Sequence, residues 1–168
     1  MLKETHAVVL NCRDPAAAGL SELLARYGLE MVWVNQHEAI PGSYWGEQEA
    51  GLIANRLYLQ AGTPLHSALH EACHYICMDP ARRSTLDTNA AGDYAEENAV
   101  CYLQIVLAAA LPLAGSQRMQ QDMDTWGYTF RLGSAHVWFA QDAEEAQAWL
   151  LQHKIIDNRN QPTWHLRG

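Results

Sequence analysis

Thr63-Pro64-Leu65-His66-Ser67-Ala68-Leu69-His70-Glu71-Ala72-Cys73-His74-Tyr75-Ile76-Cys77-Met78 is the stretch whose reading decides the fold. Thr63-Pro64 reads as an N-cap followed by a first helical position, and Asp79-Pro80 as a stop, so the stretch is expected to be one helix. Each residue advances a helix by about 100°, so with His70 at zero His74 falls at about 40° and Glu71 at about 100°. Leu65, Leu69, Ala72, Cys73 and Ile76 fall on another face, from roughly −60° to −160°. The helix therefore carries an apolar stripe for a core and a separate chemical stripe of His70, Glu71 and His74. Two imidazoles one turn apart, with a carboxylate between them, have the spacing of two zinc ligands and a general base.

A catalytic zinc site needs a third protein ligand, and the helix face is used up. Asp93-Tyr94-Ala95-Glu96-Glu97-Asn98-Ala99 is the expected donor segment. Glu96 shares its helix face with Val100, Leu103 and Leu107, whereas Glu97 shares the more polar face with Gln104 and Ala108. A carboxylate on a core-facing stripe needs a partner, and a metal supplies one, so Glu96 is the expected third ligand. Glu97, Asp93 and Cys73 remain alternatives. Asp93 with Glu96 three residues later is also a capping box, which would turn Glu96 back onto the backbone.

Outward from this centre, Leu29 to Val34 reads as a strand and Leu52 to Gln60 as a second. Asp14-Pro15 opens a helix striped by Leu20, Leu23, Leu24 and Tyr27 and closed by Gly28. Asn35 to Gly51 reads as a loop, with Tyr44 and Trp45 covering the core or walling a substrate. Ala81 to Gly92 reads as polar loop. Asp93 to Leu111 and Ser116 to about Thr125 read as helices. Tyr128 to Ala140 reads either as a hairpin about Gly133-Ser134 or as a break between helical pieces. Asp142 with Glu145 predicts a capped helix to about His153. The tail beyond Lys154 carries no signal.

The 168 residues suit one domain spanning 1–168, and a net charge of −8 disfavours a nucleic-acid partner. Met1 to Pro15 shows no apolar signal core, and the run Ile105 to Ala114 is too short for a bilayer and holds Pro112. The expectation is a cytoplasmic protein without a membrane partner. Its four cysteines are then expected to be thiols rather than disulfides.

The order strand, His70-Glu71-Ala72-Cys73-His74 helix, variable loop, then a helix with Glu96-Glu97-Asn98-Ala99 and a terminal Leu111-Pro112, resembles the ImmA/IrrE-type zinc metallopeptidases. Gly51-Leu52-Ile53-Ala54-Asn55-Arg56-Leu57-Tyr58-Leu59 resembles the strand that precedes their zinc helix. The resemblance covers about Leu29 to Pro112. It implies a small zincin-like α+β domain, predominantly helical, with a small sheet beside the metal helix. The core would span about 29–115 and a helical or mixed extension 116–168. It further implies Zn2+ held by His70, His74 and Glu96, Glu71 as catalytic base, and hydrolysis of a peptide bond in a cytoplasmic protein. The family usually has Asn or Asp after that Ala; Val100 stands there instead, which bears on the outer-sphere partner of one histidine. No DNA-binding helix-turn-helix precedes the stretch.

Two other functions fit fewer residues. One is a non-catalytic binding or regulatory module that retains the zincin fold and its metal. The other is a redox or metal sensor built on Cys73, Cys77 and Cys101. Tyr75, Tyr94, His66 and His136 are the candidate donors to an oxyanion, and His66, one turn before His70, is an alternative ligand.

Overall fold

A computed structural model describes residues 8–43 and 49–168. Tyr44, Trp45 and Gly46 lie outside the described residues. Among the described residues the class is α+β, with seven α-helices and a three-stranded mixed sheet.

The expected N-terminal helix is split into a 3-10 turn, Pro15–Ala17, and α1, Leu20–Ala25. Gly19 separates them at φ +93°, a conformation open to glycine. Leu20, Leu23, Leu24 and Tyr27 are buried as their spacing requires.

Strand β1, Glu30–Trp33, lies parallel to β3, Arg56–Leu59, and β2, Gly51–Ile53, pairs antiparallel with β3, giving the order β1-β3-β2. The stretch read as one strand is thus a tight hairpin turning at Ala54-Asn55. Ala54 sits at φ +52°, and Asn55 is held from both sides, its amide donating to Gly28 O and its carbonyl accepting from Glu30 N. Those long-range bonds stabilise a turn whose residues are a weak hairpin signal on their own. Leu52, Leu57 and Leu59 are buried, and Arg56 points to solvent.

The central helix α2 spans Leu65–Cys77. Thr63 does not cap it; its hydroxyl accepts from Gln60 N in the preceding turn. The N-terminal segment fixes the helix start instead, with Leu65 N donating to Leu10 O and Cys12 N to Thr63 O. Leu65, Leu69, Ala72, Cys73 and Ile76 are fully buried. At the other end two arginines take the carbonyls that a helix leaves unpaired. Arg83 donates to the carbonyls of Tyr75, Ile76 and Met78, and Arg167 to that of Cys77. The tail is therefore structural: Arg167 N bonds Ile76 O, and Trp164 packs on Tyr27.

Asp79-Pro80 stops α2 and at once caps α3, Pro80–Ser84, through an Arg82 N to Asp79 bond. Irregular chain follows to Asp93, which caps α4, Tyr94–Ala108, by accepting from Glu96 N. Helix α4 is buried from Ala99 to Ala108 and packs against α2. It also packs against α5, Gly115–Trp126, and α7, Glu144–Gln152. The ambiguous segment resolves into an irregular piece and α6, Ala135–Gln141, capped by Ser134. Asp142 does not cap α7: its carboxylate pairs with Arg131, and α7 begins from Ala143 with no side-chain cap. No helix among the described residues is long and apolar enough to cross a membrane.

Candidate metal centre

Helices α2 and α4 face each other across the chemical stripe. His70 Nε2 and His74 Nε2 lie 3.1 Å apart. Glu97 reaches both, at 3.1 Å from His70 Nε2 and 3.2 Å from His74 Nε2. A tetrahedral zinc ion with bonds of about 2.0–2.1 Å separates its ligand atoms by roughly 3.3 Å. The three donor groups therefore already stand at the spacing such an ion sets, and a His-His-carboxylate set matches its preferred chemistry.

The carboxylate that lies beside the two imidazoles is Glu97; Glu96, the expected third ligand, is placed elsewhere. Glu96 is buried, and its carboxylate takes a two-pronged ion pair from Arg82, at 2.8 and 2.9 Å, with Arg167 at 3.6 Å. The premise that a core-facing carboxylate needs a cation holds; the cation is a guanidinium. Nor does Glu96 close a capping box, since its side chain is spent on Arg82. The adjacent Arg82 and Arg83 are taken up by Glu96 and by the end of α2.

Glu97 is held well below the usual carboxylate range; burial opposes its charge, but hydrogen bonds from His70 and His74 outweigh that. Burial likewise works against a charged His70, yet Tyr128, Cys101 and Glu97 together raise its affinity for a proton well above the ordinary value. The pair thus attracts a positive charge to the space between its donor atoms.

Glu71 is outside this group. Burial raises its pKa, and Glu49 and Glu97 add to the rise, against a pull downward from His74 and His70. A carboxyl displaced upward in this way is better suited to take and return a proton near neutral pH. Glu71 and His74 open onto one cleft of about 440 Å³, lined also by Thr88, Asn89, Ala90 and Ala91. The segment 88–91 that lines it continues from residues 86–88, which run along β2, with Thr88 N bonded to Leu52 O and Ala54 N to Leu86 O.

Around the centre, His70 Nδ1 meets Gln104 Oε1 at 2.9 Å, whereas His74 Nδ1 is buried with no hydrogen-bond partner among the described residues. Tyr128 stands edge-on to His70 with ring centroids 5.6 Å apart, and its hydroxyl lies 3.1 Å from His66 Nδ1. Burial pushes the Tyr128 phenol up to about 12 and the His66 imidazole down to about 3, so both are neutral.

The four sequence candidates for an oxyanion donor have other places. Tyr75 is buried beneath Arg83, Tyr94 is exposed beside Phe130 and Trp138, and His136 bonds Gln120. His66 is occupied with Tyr128 and stands outside the donor group, as does Cys73. All four cysteines are free and buried, and burial raises Cys12, Cys73 and Cys77 far from thiolate character.

No family model, curated protein or solved structure matches the chain. The site is accordingly read from its own geometry: a His-His-Glu group able to hold a metal ion, with a second carboxylate on the adjoining cleft.

From the sequence, Glu97 is only an alternative to Glu96, and Gln104 and Tyr128 have no assigned role. Signals existed for the first two. Glu97 and Gln104 are seven residues apart, two turns along one face, and Gln104 is the polar residue within the apolar run from Ala99. A fully buried amide has to be hydrogen-bonded, so its position marks a polar partner on the facing helix. Tyr128 has no such signal, because it reaches His70 from a separate, irregular segment.

Proposed function

We propose that the chain is a zinc-dependent metallopeptidase of the ImmA/IrrE type, with a zincin-like core, acting on a peptide bond of a cytoplasmic protein. The observation that carries the reading is the meeting of His70 Nε2, His74 Nε2 and the Glu97 carboxylate beside a cleft that also holds Glu71. A zinc ion there would polarise a carbonyl and bring the pKa of water close to neutral. Glu71 would take the proton from the attacking water and hand it to the departing amine. The carboxylate of Glu97 and the two neutral imidazoles would hold the metal and stay out of the proton transfer. Segment 88–91 would line the side of the cleft along which a peptide lies. Nucleic acid has no part in this reading, and neither does a membrane.

The readiest test uses the full chain loaded with zinc and a peptide library read by mass spectrometry. Glu71→Gln should lower cleavage by about 10²–10⁴ while one equivalent of zinc stays bound. Equal cleavage by wild type and Glu71→Gln would overturn the reading.

A second reading is a metal-holding module without turnover. It draws on the placement of Tyr75, Tyr94, His66 and His136, none of which contacts the donor group's carboxylate or imidazoles except through His66 and Tyr128. It predicts zinc binding with no cleavage by either protein.

A further inference from the structure

The two imidazoles differ in what lies behind them. His70 Nδ1 lies against Gln104, whereas His74 Nδ1 is buried and, among the described residues, unpartnered. Gln104 is fully buried in the middle of α4, and each end of its amide has a partner on α2, with Tyr128 a further hydrogen-bond neighbour. Its Nε2 donates to the backbone carbonyl of His66 at 2.9 Å, with Met119 Sδ at 3.5 Å. A carbonyl can only accept, so the amide's NH2 end is fixed there. Its Oε1 end therefore faces His70, and an amide oxygen also only accepts. The hydrogen of a neutral His70 must then sit on Nδ1, leaving the lone pair on Nε2. That is the atom 3.1 Å from both His74 Nε2 and Glu97.

We infer that Gln104 is a positioning residue that selects the metal-binding tautomer of His70, with the His66 carbonyl holding the amide in the required sense. This rests on the reading of His70 as a ligand. Gln104 touches neither the cleft nor the donor atoms of Glu97 and His74; it acts through His70. Tyr128 closes the arrangement, its ring edge-on to His70 and its hydroxyl on His66. His74, without such a partner, is the ligand whose ring can adjust, so the site combines one tautomer-locked imidazole with one that is not. A metal-bound imidazole held by an outer acceptor is also a better donor, because the hydrogen bond raises its basicity.

The test compares zinc affinity, by competition with a chromophoric chelator, for wild type, His70→Ala, Gln104→Leu and Gln104→Glu. Melting temperatures of the metal-free proteins are recorded alongside. Gln104→Leu keeps the bulk and removes the acceptor, and should weaken zinc binding about 10–100-fold. Gln104→Glu restores an acceptor for Nδ1–H but loses the bond to the His66 carbonyl, and should bind zinc within a few-fold of wild type. Rescue by Glu, with both variants losing similar thermal stability, is what a positioning role predicts and a packing role does not. Wild-type affinity in Gln104→Leu, or equal weakening in both variants, would overturn the inference while leaving the metal site standing. If His70→Ala binds zinc like wild type, the reading of the site falls and this inference with it.

Discussion

Glu96 and Glu97 are consecutive residues in the first turn of α4, and they end in opposite surroundings. Glu96 turns towards α3 and the C-terminal tail, where its side chain is 4% exposed and clamped by Arg82. Glu97 turns towards α2, where its side chain is 43% exposed and faces two imidazole nitrogens. The first carboxylate has permanent cations beside it and needs nothing more. The second has no guanidinium beside it among these contacts; it faces two imidazoles, of which His70 holds a proton more tightly than an ordinary histidine, so its counter-charge is an exchangeable proton or an added cation. The pair separates a structural ion pair from a candidate cation site, and the separation follows from the roughly 100° step between successive residues of a helix.

Replacing Glu97 should break the comparison most severely. Glu97→Ala removes one of three donors, and zinc affinity should fall by more than the roughly 10–100-fold carried by an outer-sphere partner. The metal-free protein should melt somewhat below wild type, because Glu97 and the proton on His70 stabilise one another in the folded state. Added zinc stabilises whichever form binds it, so it should raise the wild-type melting temperature and leave that of Glu97→Ala unchanged. Calorimetric zinc titration with thermal melts would check both; undiminished zinc binding by Glu97→Ala would return the third-ligand role to another residue.

Glu96→Ala should give the complementary result. Removing one partner of a buried ion pair costs about 3–5 kcal/mol, and less where the remaining charge can reach water. Arg82 is 37% exposed, so about 2–3 kcal/mol of folding stability is the expected loss. The folded fraction should still bind one zinc. Chemical denaturation of the metal-free protein measures the first quantity, and titration below the unfolding transition the second. Loss of zinc without loss of stability would reverse the assignments of the two glutamates.

How far the sequence discloses this pair depends on where each partner sits along the chain. The metal helix is legible because its information is local: spacing places His70, Glu71 and His74 on one stripe, and Asp79-Pro80 marks the end. The cap of α4 at Asp93 is legible for the same reason. The choice between Glu96 and Glu97 is not, since Glu96 is decided by Arg82, fourteen residues earlier, and Arg167, near the end of a tail that carries no pattern. Burial of a carboxylate implies a cation without saying which. The hairpin at Ala54-Asn55 is hidden likewise, stabilised by Gly28 and Glu30 rather than by its own turn residues. Asp142 shows the reverse failure: the local capping pattern is present, but Arg131 competes for the carboxylate and prevails. His70 behind Gln104 lies between these extremes, with a buried amide visible in the sequence and its partner visible only once α2 and α4 are packed.

The smallest expected effect isolates the Glu96 side by a residue that carries no charge. A Cβ at Gly92 would fall against the Glu96 carboxylate. The carboxylate cannot swing aside freely, because Arg82 holds both its oxygens. Gly92→Ala should therefore cost about 1–2 kcal/mol, in the range of overpacking, with zinc affinity unchanged. The double variant makes the cause explicit. Glu96→Ala removes the three atoms nearest the added methyl, and loss of unfolded-chain freedom should then make Gly92→Ala stabilising by about 0.4–1 kcal/mol. A change of sign between the two backgrounds is a coupling that only neighbouring groups can produce, and denaturant melts of the four proteins would measure it. Additive costs would mean that the Glu96 carboxylate does not lie over Gly92, and with it would go the reason Glu96 turns away from the histidines.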